Sequence, residues 1–180
     1  MFRALAISLL LAASPAVAQG VPEPDDYRMD EYRGPVPGTL AGGTVVDAEK
    51  AHELWQSGGV AFIDVLPRAP KPENLPTGTI WREPERHSIP GATWLPNVGY
   101  GALADVNHAY FKAGLAQATG DDPDHPVLFF CLEECWMSWN AAKRAIEYGY
   151  TQVYWLPEGT DGWTFFDYPT EVIVPVPGGK

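Results

Sequence analysis

Apolar positions along this chain come in short blocks rather than long stripes. Val60 to Val65 and Val127 to Phe130 are compact runs with a β-branched or aromatic bias, and each predicts a buried strand. Val153 to Leu156 predicts another, Thr93 to Leu95 a brief one, and Thr44 to Val46 a short edge strand. Between these runs the spacing turns helical. Ala51, Leu54 and Trp55 follow a capping Asp47 and stop at Gly58-Gly59. Phe111 and Leu115 share a face of a helix that Asn107 caps and that runs to Thr119. Ala142, Ala145 and Ile146 share a face of a helix from Ser138 to Glu147, ended by Gly149. A Gly/Asp turn from Pro157 to Trp163 leads into a short helical turn. Strands that alternate with helices predict an α/β domain with a mostly parallel central sheet and helices on both faces.

The polar stretches set the boundaries. Residues 19–43 are rich in Pro, Asp, Tyr and Gly without a period, and read as an extended N-terminal arm. Residues 44–168 form the folded domain, and residues 169–180 an extended Pro/Val-rich tail. Within the domain, Leu66 to Ser88 is a long loop holding five prolines, of the kind that borders functional sites.

Residues 1–18 have the layout of a cleaved secretory signal: Arg3, an apolar run from Leu5 to Ala13, then Ala16-Val17-Ala18. The run is too short for a membrane span. The expected destination is the periplasm, with no membrane association after cleavage. The formal net charge is −11, and −12 once Arg3 leaves with the signal. Such acidity argues against binding to nucleic acid or anionic membrane.

The chain has only two cysteines, Cys131 and Cys135, in Phe130-Cys131-Leu132-Glu133-Glu134-Cys135-Trp136. Both fall at a predicted strand-to-helix turn, where α/β proteins place nucleophiles and redox dithiols. In helical geometry, residues four apart have α-carbons roughly 6 Å apart, within disulfide range. An oxidising compartment favours that bond. Three chemistries fit the pair: redox or sulfur chemistry, an inert crosslink, and metal ligation. For copper, two thiolates and an imidazole are a suitable set. His87 is the best-placed of His52, His87, His108 and His125. Trp136, at the mouth of the site, offers a face on which a flat quinone could stack, whereas Trp139 reads as core.

Several segments together resemble a known family. Asp64-Val65-Leu66-Pro67-Arg68, the turn Ile89-Pro90-Gly91-Ala92, the strand ending at Cys131, and Gly159-Thr160-Asp161-Gly162-Trp163 occur in the order found in rhodanese-like domains. Cys131, Cys135 and Trp136 further resemble the Cys-x-x-x-Cys-Trp motif of a secreted rhodanese-like subfamily. That subfamily is associated with pyrroloquinoline quinone (PQQ)-dependent alcohol catabolism. The resemblance implies a rhodanese-like fold and a partner in the periplasmic quinoprotein alcohol dehydrogenase system. It also implies a role in handling a redox cofactor such as PQQ.

By the same resemblance, backbone amides from Leu132 to Trp136 converge on the Cys131 sulfur and stabilise its anion. Cys131 is then the primary thiol and Cys135 its resolving partner. Glu133 and Glu134 oppose thiolate formation. The loop lacks the basic residues that sulfurtransferases use to neutralise thiosulfate, which disfavours an anionic sulfur donor. Arg68 is expected to pair with Asp64, and the two to brace the loop from the neighbouring strand end.

Overall fold

The computed structural model describes residues 20–178; the signal segment lies outside them. Five parallel strands form the central sheet: β1 (Thr44–Val45), β2 (Ala61–Asp64), β4 (Thr93–Trp94), β5 (Val127–Phe130) and β6 (Val153–Leu156). Their order is β1-β6-β5-β2-β4. β5 sits at the centre, and all four of its side chains are buried. That explains why its sequence is an unbroken apolar run rather than an alternation.

Strand alternation divides the core into two layers. Ile63, Phe129 and Trp155 are in register and face α2 (Asp105–Thr119) and α3 (Trp136–Glu147), packing with Phe111, Leu115 and Trp139. Phe62, Leu128, Phe130 and Leu156 face the other way, toward α1 (Ala48–Ser57) and α4 (Gly159–Phe165), packing with Ala51 and Trp163. Helices therefore cover both faces of a mostly parallel sheet, as the sequence pattern predicts. No described helix is long and apolar enough to cross a membrane.

Element ends differ in instructive ways. α1 is capped by Asp47, whose Oδ1 accepts from Lys50 N at 2.8 Å, and it stops at a left-handed Gly58. α2 starts earlier than expected, at Asp105. Ala104 is its N-cap, and Asn107 lies inside the first turn with its Oδ1 buried and unpartnered. α3 also starts early, at Trp136, which makes Cys135 its N-cap residue.

Among the described residues, the arm and the tail are both bound to the domain. Within the tail, β7 (Glu171–Ile173) pairs antiparallel with β3 (Arg86–Ser88), a strand inside the Pro-rich loop. Val176 N then donates to Trp94 O at 2.9 Å, and Tyr110 Oη donates to Val176 O at 2.9 Å. The arm is held by buried Asn140, whose Oδ1 accepts from Arg28 N at 3.0 Å while its Nδ2 donates to Arg28 O at 2.8 Å.

Candidate functional site

The ends of β2, β5 and β6 carry Asp64, Cys131 and the turn into Gly159 to the same edge of the sheet. Ligands of open α/β sheets bind at this carboxyl edge. Cys131 and Cys135 are joined as a disulfide with α-carbons 6.4 Å apart, and their side chains are 0% and 2% exposed. Between them the chain makes a tight turn in which Glu134 takes a left-handed φ of 51°. Cys131 continues the alternation of β5 and packs into the layer of Phe129, on the α3 side.

The loop is held from three directions. From below, Cys131 O accepts from Thr160 N at 3.0 Å, from Thr160 Oγ1 at 3.2 Å and from Arg86 Nη2 at 3.3 Å. Gly159 makes this possible. It has φ 55°, and a Cβ there would lie 2.5 Å from Leu132 C and 2.7 Å from Cys131 O. From the α4 side, Asp161 Oδ2 accepts from Glu133 N at 2.8 Å. From outside, the arm lays an antiparallel bridge against the loop: Arg33 sits opposite Cys135. Gly34 N donates to Glu134 O at 3.0 Å and Trp136 N to Tyr32 O at 2.9 Å. Trp136 Nε1 adds a bond to Pro35 O at 3.1 Å.

Asp64 does not pair with Arg68. Its buried carboxylate accepts from Arg86 Nε at 2.7 Å, Ser88 Oγ at 2.6 Å and Leu66 N at 2.9 Å. Arg68 instead forks onto Glu83 within the Pro-rich loop, with Nε 3.0 Å from both carboxylate oxygens. The hydrogen bonds from Arg68 hold the Glu83 carboxyl below its ordinary pKa. The cause of this pairing is topological. β3 pairs with β7, and this ribbon delivers Arg86 to the Asp64 carboxylate and to the root of the cysteine loop. Arg68 leaves β2 toward solvent, where its side chain is 47% exposed.

The expected nest of loop amides is also changed. Of the amides from Leu132 to Trp136, that of Glu133 is spent on Asp161 and that of Trp136 on Tyr32 O. Glu133 and Glu134 are both exposed. Trp136 lines an open cavity of about 790 Å³ with Arg28, Tyr32 and Arg33, but it is itself only 4% exposed, with the Arg28 guanidinium 5.4 Å from its ring and Trp139 packed edge-on at 5.6 Å. Trp139 is fully buried, as expected of a core residue.

Neither implied cofactor fits these residues. Copper would need free thiolates and a nearby imidazole. His87 lies on β3, 62% exposed and 3.9 Å from Glu85, and no group of three His, Cys, Asp or Glu among the described residues could hold a metal. A carboxylated quinone such as PQQ would need a free aromatic face and positive charge. Arg28 and Arg33 line the cavity beside Trp136, but the Trp136 ring is 4% exposed and offers no free face, and the loop carries Glu133 and Glu134 with Asp161 beside it.

Arg86, Thr160, Asp161 and Tyr32 are the site residues that sequence reasoning missed. Asp161 and Thr160 lie in the Gly-rich turn before Trp163, so that turn held the signal. Arg86 carried only its closeness to the Ile89-Pro90 turn, and Tyr32 carried none.

Residues 47–165 match the family described as rhodanese-like domain, and the chain belongs to that family. No curated protein matches its sequence. Among solved structures, the fold is similar to the polysulfide-sulfur transferase homodimer from Wolinella succinogenes, at 20% identity and TM-score 0.46, covering 73% of this chain and 80% of that one. Thiosulfate sulfurtransferase from Pseudomonas aeruginosa is similar at 17% identity and TM-score 0.50, covering 75% of this chain and 21% of that one. A variant of EanB in complex with hercynine is similar at 22% identity and TM-score 0.51, covering 79% of this chain and 34% of that one. At these identities the likeness is one of fold.

Proposed function

We propose that this rhodanese-like domain works as a thiol–disulfide carrier through Cys131 and Cys135, in the periplasm, as an accessory to PQQ-dependent alcohol oxidation. The observation that carries the chemical part is the Cys131–Cys135 disulfide at the carboxyl edge of the sheet. The compartment and the alcohol-oxidising partner rest on the signal segment and the Cys-x-x-x-Cys-Trp resemblance.

The reaction follows from the placement of the two sulfurs. Both cysteines are buried, so the loop must first open; an incoming thiolate then attacks Cys131 Sγ, and the Cys131–Cys135 bond breaks. Cys135 leaves with the electron pair. It is the N-cap residue of α3, and a helix N-terminus stabilises a thiolate, which makes it the better leaving group. A second thiol then attacks the mixed disulfide and frees Cys131. The domain gains two electrons and two protons, and the donor dithiol becomes a disulfide. The reverse sequence oxidises a partner.

Family membership favours a second reading on the same atoms. A persulfide on Cys131, attacked by the Cys135 thiolate, gives the same disulfide and releases hydrosulfide. Thiosulfate suits this loop poorly as a donor, because Glu133, Glu134 and Asp161 surround it with like charge.

Intact-mass measurement of the folded protein across a dithiothreitol redox titration tests the carrier. The expected result is reversible gain of two hydrogens, with Cys131→Ser and Cys135→Ser inert. A bond that opens only when the protein unfolds would make it a crosslink. A product one sulfur atom heavier, formed from a persulfide donor, would favour the second reading. For the biological setting, the double serine variant should fail to support growth on an alcohol; normal growth would remove the pair from that pathway.

A further inference from the structure

The α4 side of the cysteine loop carries a surface that the redox chemistry alone does not explain. α4 ends in Phe165, and Phe166 follows; they are 80% and 41% exposed. Their rings meet edge-on, with centroids 5.3 Å apart. With Glu133, Glu158, Asp161 and Gly162 they line an open cavity of about 290 Å³. Two of the three carboxylates are fixed by backbone donors: Glu158 Oε2 accepts from Ala48 N and Asp161 Oδ2 from Glu133 N, both at 2.8 Å. None of the three forms an ion pair among the described residues.

Exposed aromatics inside a rim of one charge sign mark an interaction surface, because aromatics concentrate at interface cores and charge complementarity selects the partner. A second copy is a poor occupant, since each chain carries −11 and the same acidic rim. We propose that Phe165, Phe166, Glu133, Glu158 and Asp161 form the docking face for the thiol-bearing partner protein, which presents a basic segment with an apolar side chain at its centre. Glu133 belongs to both the rim and the disulfide loop, so a partner seated here touches the loop between the two cysteines. The docking deepens the carrier reading and rests on it for its consequence at the disulfide.

Two synthetic peptides probe this face on the oxidised, full protein: Lys-Lys-Leu-Cys-Lys-Lys and Glu-Glu-Leu-Cys-Glu-Glu. Two peptide thiols reduce the Cys131–Cys135 bond and leave as the peptide disulfide. At low salt the cationic peptide should react at least roughly tenfold faster than the anionic one. The ratio should collapse near 1 M salt, where the screening length is about 3 Å. Phe165→Ser, at a position already open to solvent, should weaken the cationic peptide's reaction while leaving reduction by dithiothreitol unchanged.

Equal rates for the two peptides, or an unaltered rate in Phe165→Ser, would overturn the docking face. So would a dimer in sedimentation that Phe165→Ser dissolves. Binding of fluorescent peptides with Ser in place of Cys reports docking without redox chemistry. Loss of dithiothreitol reactivity with retained peptide binding would therefore sink the carrier and spare the face.

Discussion

Arg86 Nε donates to Asp64 Oδ2 at 2.7 Å, and the same guanidinium reaches Cys131 O at 3.3 Å. One buried cation thus ties the end of β2 to the start of the cysteine loop. Removing either partner leaves the other charge buried and uncompensated, at a cost of about 3–5 kcal/mol. Asp64→Asn and Arg86→Met should each lose that much stability in urea denaturation. Because Arg86 also holds the loop, Arg86→Met should speed reduction of the disulfide, whereas Arg68→Met should change neither quantity appreciably. Matching losses for the two arginine variants would show that the Asp64–Arg86 pair is not the brace.

The disulfide is buried, the arm bridges its loop at Cys135, and the hold of the arm on the loop depends on loop shape. Glu134 O and Trp136 N face Gly34 N and Tyr32 O only while the loop keeps its turn with Glu134 left-handed. Reduction frees Cys131 and Cys135 to separate, and a left-handed Glu costs roughly 1–2 kcal/mol that an open loop can shed. Trypsin should therefore cut after Arg33 faster in the reduced protein than in the oxidised one. The double serine variant should be cut as fast as the reduced wild type. Identical cleavage of oxidised and reduced forms would show that the arm ignores the redox state.

Gly159 has two reasons to be glycine. Its φ is 55°, and a Cβ would press on Leu132 C and Cys131 O, both backbone atoms that cannot turn aside. Gly159→Ala should cost at least about 1–2 kcal/mol from the left-handed conformation alone. The loop must shift in addition, so disulfide reduction should accelerate. Gly58→Ala, also left-handed but with open space around its Cβ, provides the control. It should lose stability without altering the disulfide.

Much of this arrangement was legible in the sequence, and the reasons are local. Strand β5 is an apolar block ending at Cys131, so a short-range pattern placed the first cysteine. Asp47, Gly58 and the Ile89-Pro90-Gly91-Ala92 turn act within a few residues of themselves. The misses at the site are long-range. Arg86 reaches Asp64 across 22 positions and Cys131 across 45 because β7 pairs with β3. Tyr32 meets Trp136 because buried Asn140 holds the arm. Neither pairing leaves a periodic trace, and each sits in a segment rich in proline and polar residues. The early start of α3 at Trp136 escaped notice because Cys135 lacks the side-chain chemistry of a usual N-cap.

Tyr110 gives the anchored tail a pH limit. Its Oη donates to Val176 O, and burial pushes its pKa up from 10.0 to about 12, against a smaller lowering by Arg68. The folded state thus keeps this proton more tightly than the unfolded chain does. The associated stability is fully present below pH 10 and is lost as the pH rises toward 12, because the unfolded chain ionises first. Ionisation also removes the donor to Val176 O, so the tail should detach in the same interval. Absorbance titration of the phenolate near 295 nm, compared with Tyr110→Phe, isolates this group. Wild type should lose stability between pH 10 and 12 more steeply than the variant. The variant should be weaker at neutral pH by the roughly 0.5–1.5 kcal/mol of one hydrogen bond. Parallel alkaline curves for the two proteins would mean that other phenols, such as half-buried Tyr148, whose pKa burial also raises, set the limit.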